Sequence, residues 1–186
     1  MDVRIGTESL KSAQEILRTL GDRAVKALVP AVNRAVKSAR AEAGRAITER
    51  YAISSKEAKA QLEVDRATYS APVGTLRARG ETLKLTDFPH RPISPGTGGP
   101  GKPSLRAEIK RGQWKKIPGA FVAPIGGKNR VMARRGKARG AMFEMAALPV
   151  PTMFGMVRER VEQYALEIFE QRLAHEIRRQ IEKAAK

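Results

Sequence analysis

From Val157 onward an apolar residue recurs at every fourth position, through Val161, Ala165, Phe169, Leu173, Ile177 and Ile181. A step of four residues advances about 400° at 3.6 residues per turn, so such a stripe drifts by about 40° each step and winds around its helix. The spacing predicts one long helix over residues 151–186. An apolar stripe means core first, so one reading curves this helix over its own sheet. In the other reading the outer half packs on a neighbouring subunit, with Phe169, Leu173, Ile177 and Ile181 as the interface candidates.

The rest of the chain is organised around that helix as a single α+β domain spanning residues 1–186. Residues 1–65 read as Ala-rich helices: Leu10, Ala13, Leu17 and Leu20 share a face, and Gly21-Asp22 stops one helix and caps the next. Pro30 is expected to kink this second helix or begin a fresh one. Ser54-Ser55-Lys56-Glu57 has the form of a capping box, opening a short helix that ends by about Val64. Residues 66–150 read as a small, mostly antiparallel sheet. Leu76–Arg79 and Leu83–Leu85 alternate as strands with a turn at Gly80-Glu81-Thr82, and Leu105–Lys110, Ala120–Pro124 and Arg130–Arg134 follow as further strands. His90–Pro103, rich in Gly and Pro, reads as a loop or extended arm, giving the sheet a basic loop around residues 90–104. Ala141–Val150 is apolar and fits no single period.

The core available to this domain is small. Leu, Ile, Val and Phe number 40 of 186 residues, against 27 Ala, barely above the roughly 20% at which a charged chain stops condensing. Part of the order is therefore expected from contacts with other chains. The absence of cysteine excludes disulfides, thiolate chemistry and Cys-based zinc sites. His90 and His175 stand far apart, which argues against a metal site or a His-driven triad, and no cofactor is expected. No run approaches the ~18 apolar residues of a membrane span, and Met1-Asp2-Val3-Arg4 does not begin a signal peptide, so no membrane partner is expected. The chain is expected to be made and first used in a cytoplasm.

The net charge of +17 is concentrated in the middle of the chain. Residues 101–140 hold twelve basic side chains and one acid, Glu108, whereas residues 141–186 hold seven of each. Charge at this density needs a polyanion, an acidic partner or a solvated flexible loop to relieve it. The candidates for a DNA-facing or partner-facing role are Arg106, Lys110, Arg111, Lys115, Lys116, Lys128, Arg130, Arg134, Arg135, Lys137 and Arg139. Only Trp114 and Phe121 interleave them, so base stacking of the kind single-strand binders use is poorly supported.

Catalytic signals are missing from the same region. Gly96–Lys102 has the glycine and lysine spacing of a phosphate-binding loop, but Pro103 stands where a magnesium-binding hydroxyl is needed. Between Arg66 and Ala141 the carboxylates are Glu81, Asp87 and Glu108, too scattered to suggest a metal-dependent nuclease. The chain is not expected to be an enzyme. Composition alone would favour a sequence-nonspecific nucleic-acid-binding protein, although its positive charge would then be spread more widely.

Three ordered passages resemble the minor tail protein Z family, the tail completion proteins of lambda-like phages and prophages. They are Ile117-Pro118-Gly119-Ala120-Phe121-Val122, the basic Gly127–Arg135, and Leu148-Pro149-Val150-Pro151-Thr152-Met153-Phe154. The Ala-rich stretch from Val29 to Ala35 and the pair Leu76–Gly80 and Leu83–Leu85 fit as well, so the resemblance covers most of the chain. It implies a virion structural protein without catalysis, located at the head-proximal neck of the tail and assembled in the host cytoplasm. It further implies a ring of identical subunits, a hexamer if it matches the sixfold tail. The implied partners are tail terminator, tail tube or head–tail connector proteins, and the end of the packaged DNA.

Overall fold

A computed structural model describes residues 2–5, 22–93, 104–136 and 140–184. The predicted helix around Leu10–Leu20, the Gly96–Lys102 segment, Lys137 and Arg139 lie outside these residues. The architecture is α+β: two long helices lie against small antiparallel sheets.

Helix α1 runs from Asp22 to Arg50. Its buried face carries Ala27, Ala31, Ala35, Ala39 and Ala43 at four-residue spacing, flanked by Leu28, Val32, Val36 and Ile47. Small residues there let neighbouring elements approach closely. The helix continues through Pro30 instead of starting afresh. Proline removes one backbone hydrogen bond, but Leu28, Val29, Ala31 and Val32 on either side of it are buried, and their packing holds the helix together.

Helix α2, Ser55–Ala60, is capped as the sequence predicts. The Ser54 hydroxyl accepts the Glu57 N–H at 3.1 Å, and the Ser54 N–H donates to the Glu57 carboxylate at 3.3 Å. It stops at Ala60, within the expected limit of about Val64, because Leu62–Asp65 forms strand β2. The stretch 1–65 is thus not wholly helical: β1, Asp2–Ile5, and β2 flank β3, Gly74–Ala78, in a three-stranded antiparallel sheet ordered β1-β3-β2. A Cβ on Gly74 would stand 2.6 Å from Val36 Cγ2 and 2.8 Å from Val32 Cγ1, so glycine is what lets this sheet sit directly on α1.

The expected strands around Leu76 and Leu83 both exist but do not pair with each other. Strand β4, Thr82–Lys84, leads into a 3₁₀ turn at Leu85–Asp87 and pairs instead with β11, Ala146–Pro149. The proline-rich arm also begins with structure: His90–Ile93 is strand β5, at the edge of a sheet ordered β5-β6-β7 with Ser104–Lys110 and Gln113–Pro118. Pro92 is tolerated there because an edge strand does not need every N–H for the ladder. A further sheet joins β8, Ala120–Ile125, β9, Lys128–Arg134, and β10, Met142–Glu144, in the order β10-β9-β8. Gly126 and Gly127, with φ of +62° and +73°, supply the two positive-φ positions that a tight β8–β9 hairpin turn requires.

The C-terminal region divides into α3, Val150–Gly155, and α4, Arg158–Ala184. Arg160 near the start of α4 meets Glu42 and Glu49 near the end of α1. Lys26 and Pro30 share a cleft with Glu176, Arg179 and Lys183, so the long helices run antiparallel. The main core lies between these helices, α3 and the β1-β3-β2 sheet. A smaller core of Leu85, Leu105, Ala107, Ala120 and Val131 joins the remaining sheets.

Candidate functional site

The basic segment 104–136 contributes the expected strands to two antiparallel sheets, and strand register sorts its cations. Leu105 and Ala107 point into the smaller core, which sends Arg106 to solvent. Across the sheet, Arg106 stands opposite Arg91 on β5 and opposite Lys116 on β7. Residues directly opposite in antiparallel strands share a face, so these three form a cationic row. Glu108 and Trp114, the next opposed pair, lie on the same face. The Arg91 guanidinium sits 5.0 Å from the centroid of the Trp114 ring, a cation–π distance.

Other candidates face elsewhere. Lys110 and Lys115 line the rim of a small cavity with Ile109, Ile117 and Leu148 on the opposite side of the sheet. Arg111 is not free: its Nε donates to the Thr48 carbonyl at 2.8 Å, and its backbone N–H donates to the Arg50 carbonyl at 3.0 Å. It satisfies carbonyls left open at the C-terminus of α1, where a cation also complements the helix dipole, and so ties the β6–β7 hairpin to the helical layer.

On the β8–β9 hairpin, Arg130 pairs with Glu144 at 3.0 Å, and Lys84 reaches the same carboxylate at 3.1 Å. The hydrogen bond from Lys84, with the nearby Arg130 charge, holds the Glu144 carboxyl below the usual carboxylate range against a smaller opposing effect of burial. Arg130 is therefore committed inside the subunit. Arg134 lies 5.7 Å from the Phe121 ring and donates to the Gly140 carbonyl at 3.1 Å, while Arg135 lies 5.6 Å from the Phe143 ring. Both remain solvent-exposed, as does Lys128 beside the turn. Among the described residues, Arg106, Lys110, Lys115, Lys116 and Lys128 form no ion pair.

The interface candidates on α4 also separate. Phe169 and Leu173 are buried in the chain's own core, which removes them from any surface a neighbour could touch. Ile177 is half-buried at the edge of that core, and Ile181 is 56% exposed. Only the last turns of the stripe leave the subunit. His175 is exposed on α4, whereas His90 belongs to β5 and its Nδ1 lies 2.8 Å from the Phe88 carbonyl oxygen.

Among the described residues no cluster of three or more His, Asp or Glu is arranged to hold a metal ion, and no helix is long and apolar enough to cross a membrane. Arg91 is the residue that sequence reasoning missed; its alternation within His90–Ile93 is masked by Pro92 and the glycines beyond. The family described as prophage minor tail protein Z (GPZ) matches the chain over residues 8–186. No curated protein and no solved structure matches it.

Proposed function

The chain belongs to the prophage minor tail protein Z family, and from that premise we propose that it completes the head-proximal end of the tail as a ring of identical subunits around the DNA channel. The family places it in the phage tail in a structural role. In the proposed arrangement each subunit joins the tube or terminator below it to the head connector above, in a hexamer if the ring follows the sixfold tail. Assembly takes place in the host cytoplasm.

The family match over residues 8–186 carries this reading. Two surface features support it. Lys128, Arg134 and Arg135 stay exposed, free to face an acidic partner or the leading end of the DNA. Ile181 is an isolated large apolar side chain at the far end of α4, suited to burial against a neighbouring subunit.

The test is complementation. Tails assembled without this protein are expected to join filled heads only when the purified protein is added back, and electron microscopy should then find it at the head-proximal end. Joining without it, or its appearance at the distal tip, would overturn the proposal.

A further inference from the structure

We propose that the solvent face of the β5-β6-β7 sheet docks the phosphodiester backbone of duplex DNA through Arg91, Arg106 and Lys116. The inference rests on the reading above for the presence of DNA and adds the surface that receives it. Three cations directly opposite one another across three strands repel, and like charges in that relation destabilise a sheet. The same molecule shows the usual remedy. In the β1-β3-β2 sheet the equivalent row reads Asp2, Arg77, Glu63, and Arg77 also meets Asp65 at 3.3 Å.

Among the described residues the cationic row has no such remedy. The one acid that the register places on its face there is Glu108, whose carboxylate accepts the Gly112 N–H of the adjoining hairpin turn. The countercharge is therefore left for a ligand to bring.

The chemistry of the face selects among polyanions. Its exposed positions are Arg91, Arg106, Trp114, Lys116 and, at one end, Pro118, with Ile93 half-buried beside it, so cations make up most of the exposed face. Protein–protein interfaces deplete charge at their centre, whereas DNA-binding surfaces are strongly cationic and polar. Two interstrand steps of about 4.8 Å spread the row over roughly 10 Å, enough for long side chains to reach more than one phosphate. The arginines can each hold a phosphate through paired N–H donors. Trp114 is a lone aromatic already stacked by Arg91, so the face is not a platform for unpaired bases.

The experiment uses the full chain, a labelled 20-base-pair duplex of arbitrary sequence, and a variant carrying Arg91→Ser, Arg106→Ser and Lys116→Ser. The parent should bind with affinity that falls steeply with salt. The variant should bind at least tenfold more weakly at low salt, with its log–log salt slope reduced by about 2–3, near 0.9 per lost phosphate contact. Its melting temperature should stay within a few degrees of the parent's, because the repulsion removed offsets the Arg91 contact with Trp114 that is lost. A larger fall would mean that the row stabilises the fold, and would overturn the argument from repulsion. The variant Arg91→Lys, Arg106→Lys preserves charge and should retain most of the affinity.

Unchanged DNA affinity and slope in the Ser variant would overturn the proposal. So would a variant that binds DNA normally but fails to enter tails, which would make the face a protein dock. Failure of the parent protein itself to complete tails would count against the proposed function and leave the DNA measurement standing as a separate result.

Discussion

Glu42 is the one buried carboxylate among the described residues, 6% exposed on a helix face otherwise built from alanine and aliphatic side chains. A charge in that position needs partners, and it has Arg160 at 2.7 Å from α4 and Arg45 at 3.0 Å from its own helix. Arg160 also grips Glu49 at 2.6 Å, so one guanidinium fastens two carboxylates across the helix pair. The hydrogen bond from Arg160 holds Glu49 below its ordinary value of 4.5 despite some opposing desolvation. A carboxyl with a depressed folded-state pKa stabilises the fold above its unfolded value and loses that effect as pH falls through the folded one. Arg160→Gln is therefore expected to lower the melting temperature most near neutral pH, with the gap to the parent closing as pH drops below 4.5. High salt should narrow the gap too, since Glu49 is exposed. Differential scanning fluorimetry across pH and salt checks both. The same scale shows why the cationic site was only partly legible. Sequence gathers Arg106, Arg111, Arg130 and Lys116 alike as surplus charge, yet Arg111 caps a helix 63 residues away in sequence and Arg130 is taken by Glu144. Which cations remain free depends on register, and register depends on partners distant in the chain.

At the scale of elements, helix α4 was the most legible part of the fold because its period is local, although the single helix expected over residues 151–186 is broken into α3 and α4 by a turn at Met156 and Val157. Val157, Val161, Ala165, Phe169 and Leu173 are all buried, as an apolar stripe requires. The stripe does not say where its cover ends. Along α4 the burial falls off toward the C-terminus, with Ile177 at the margin of the core and Ile181 exposed. The two ends should respond differently to a charge. Removing a buried Phe side chain costs about 3–5 kcal/mol, and adding a carboxylate without a partner costs more. Against a total stability of roughly 5–15 kcal/mol, Phe169→Asp is expected to leave the chain largely unfolded. Ile181→Asp should change stability by no more than about 0.5 kcal/mol and, if the end of α4 meets a neighbour, should block entry into tails. Urea unfolding followed by circular dichroism, with tail incorporation as the second readout, separates the cases. Strand pairing was less legible. Gly80-Glu81-Thr82 resembles a hairpin turn, but β3 is already flanked on both sides by β1 and β2, so β4 must find β11 over 60 residues later. Of the two expectations for Pro30, a fresh helix is not what forms: burial on both sides of it carries one helix through.

For the whole molecule, the division of charge follows the division of layers. The helical layer carries paired charges of both signs, such as Arg160 with Glu42 and Glu49, or Arg158 with Glu162. The distal sheets carry much of the surplus: residues 104–136 hold nine basic side chains against Glu108 alone. In the proposed ring, such a distribution favours turning the sheets toward negative potential. Repeated around a ring, that orientation would present the sheets to the channel or to the acidic face of a neighbouring protein. The two cases can be told apart on the β8–β9–β10 side, away from the row around Arg106. Arg134 and Arg135 rest on Phe121 and Phe143 but stay exposed, and Lys137 and Arg139 follow closely in sequence. Changing these four to Ser together should cost little stability, because exposed cation–π contacts are worth only about 0.5–1 kcal/mol each. Circular dichroism and a thermal melt establish that the variant is folded before assembly is read. If this surface docks onto an acidic protein, heads and tails should fail to join when the variant replaces the parent in tails otherwise complete. If it holds the end of the genome, joined particles should form in normal numbers but lose DNA faster on dilution into low-magnesium buffer, measured by nuclease-accessible DNA over time. Normal joining with normal retention would show that these charges are solvated, and would leave the β5-β6-β7 face as the surface through which the sheets' surplus charge acts.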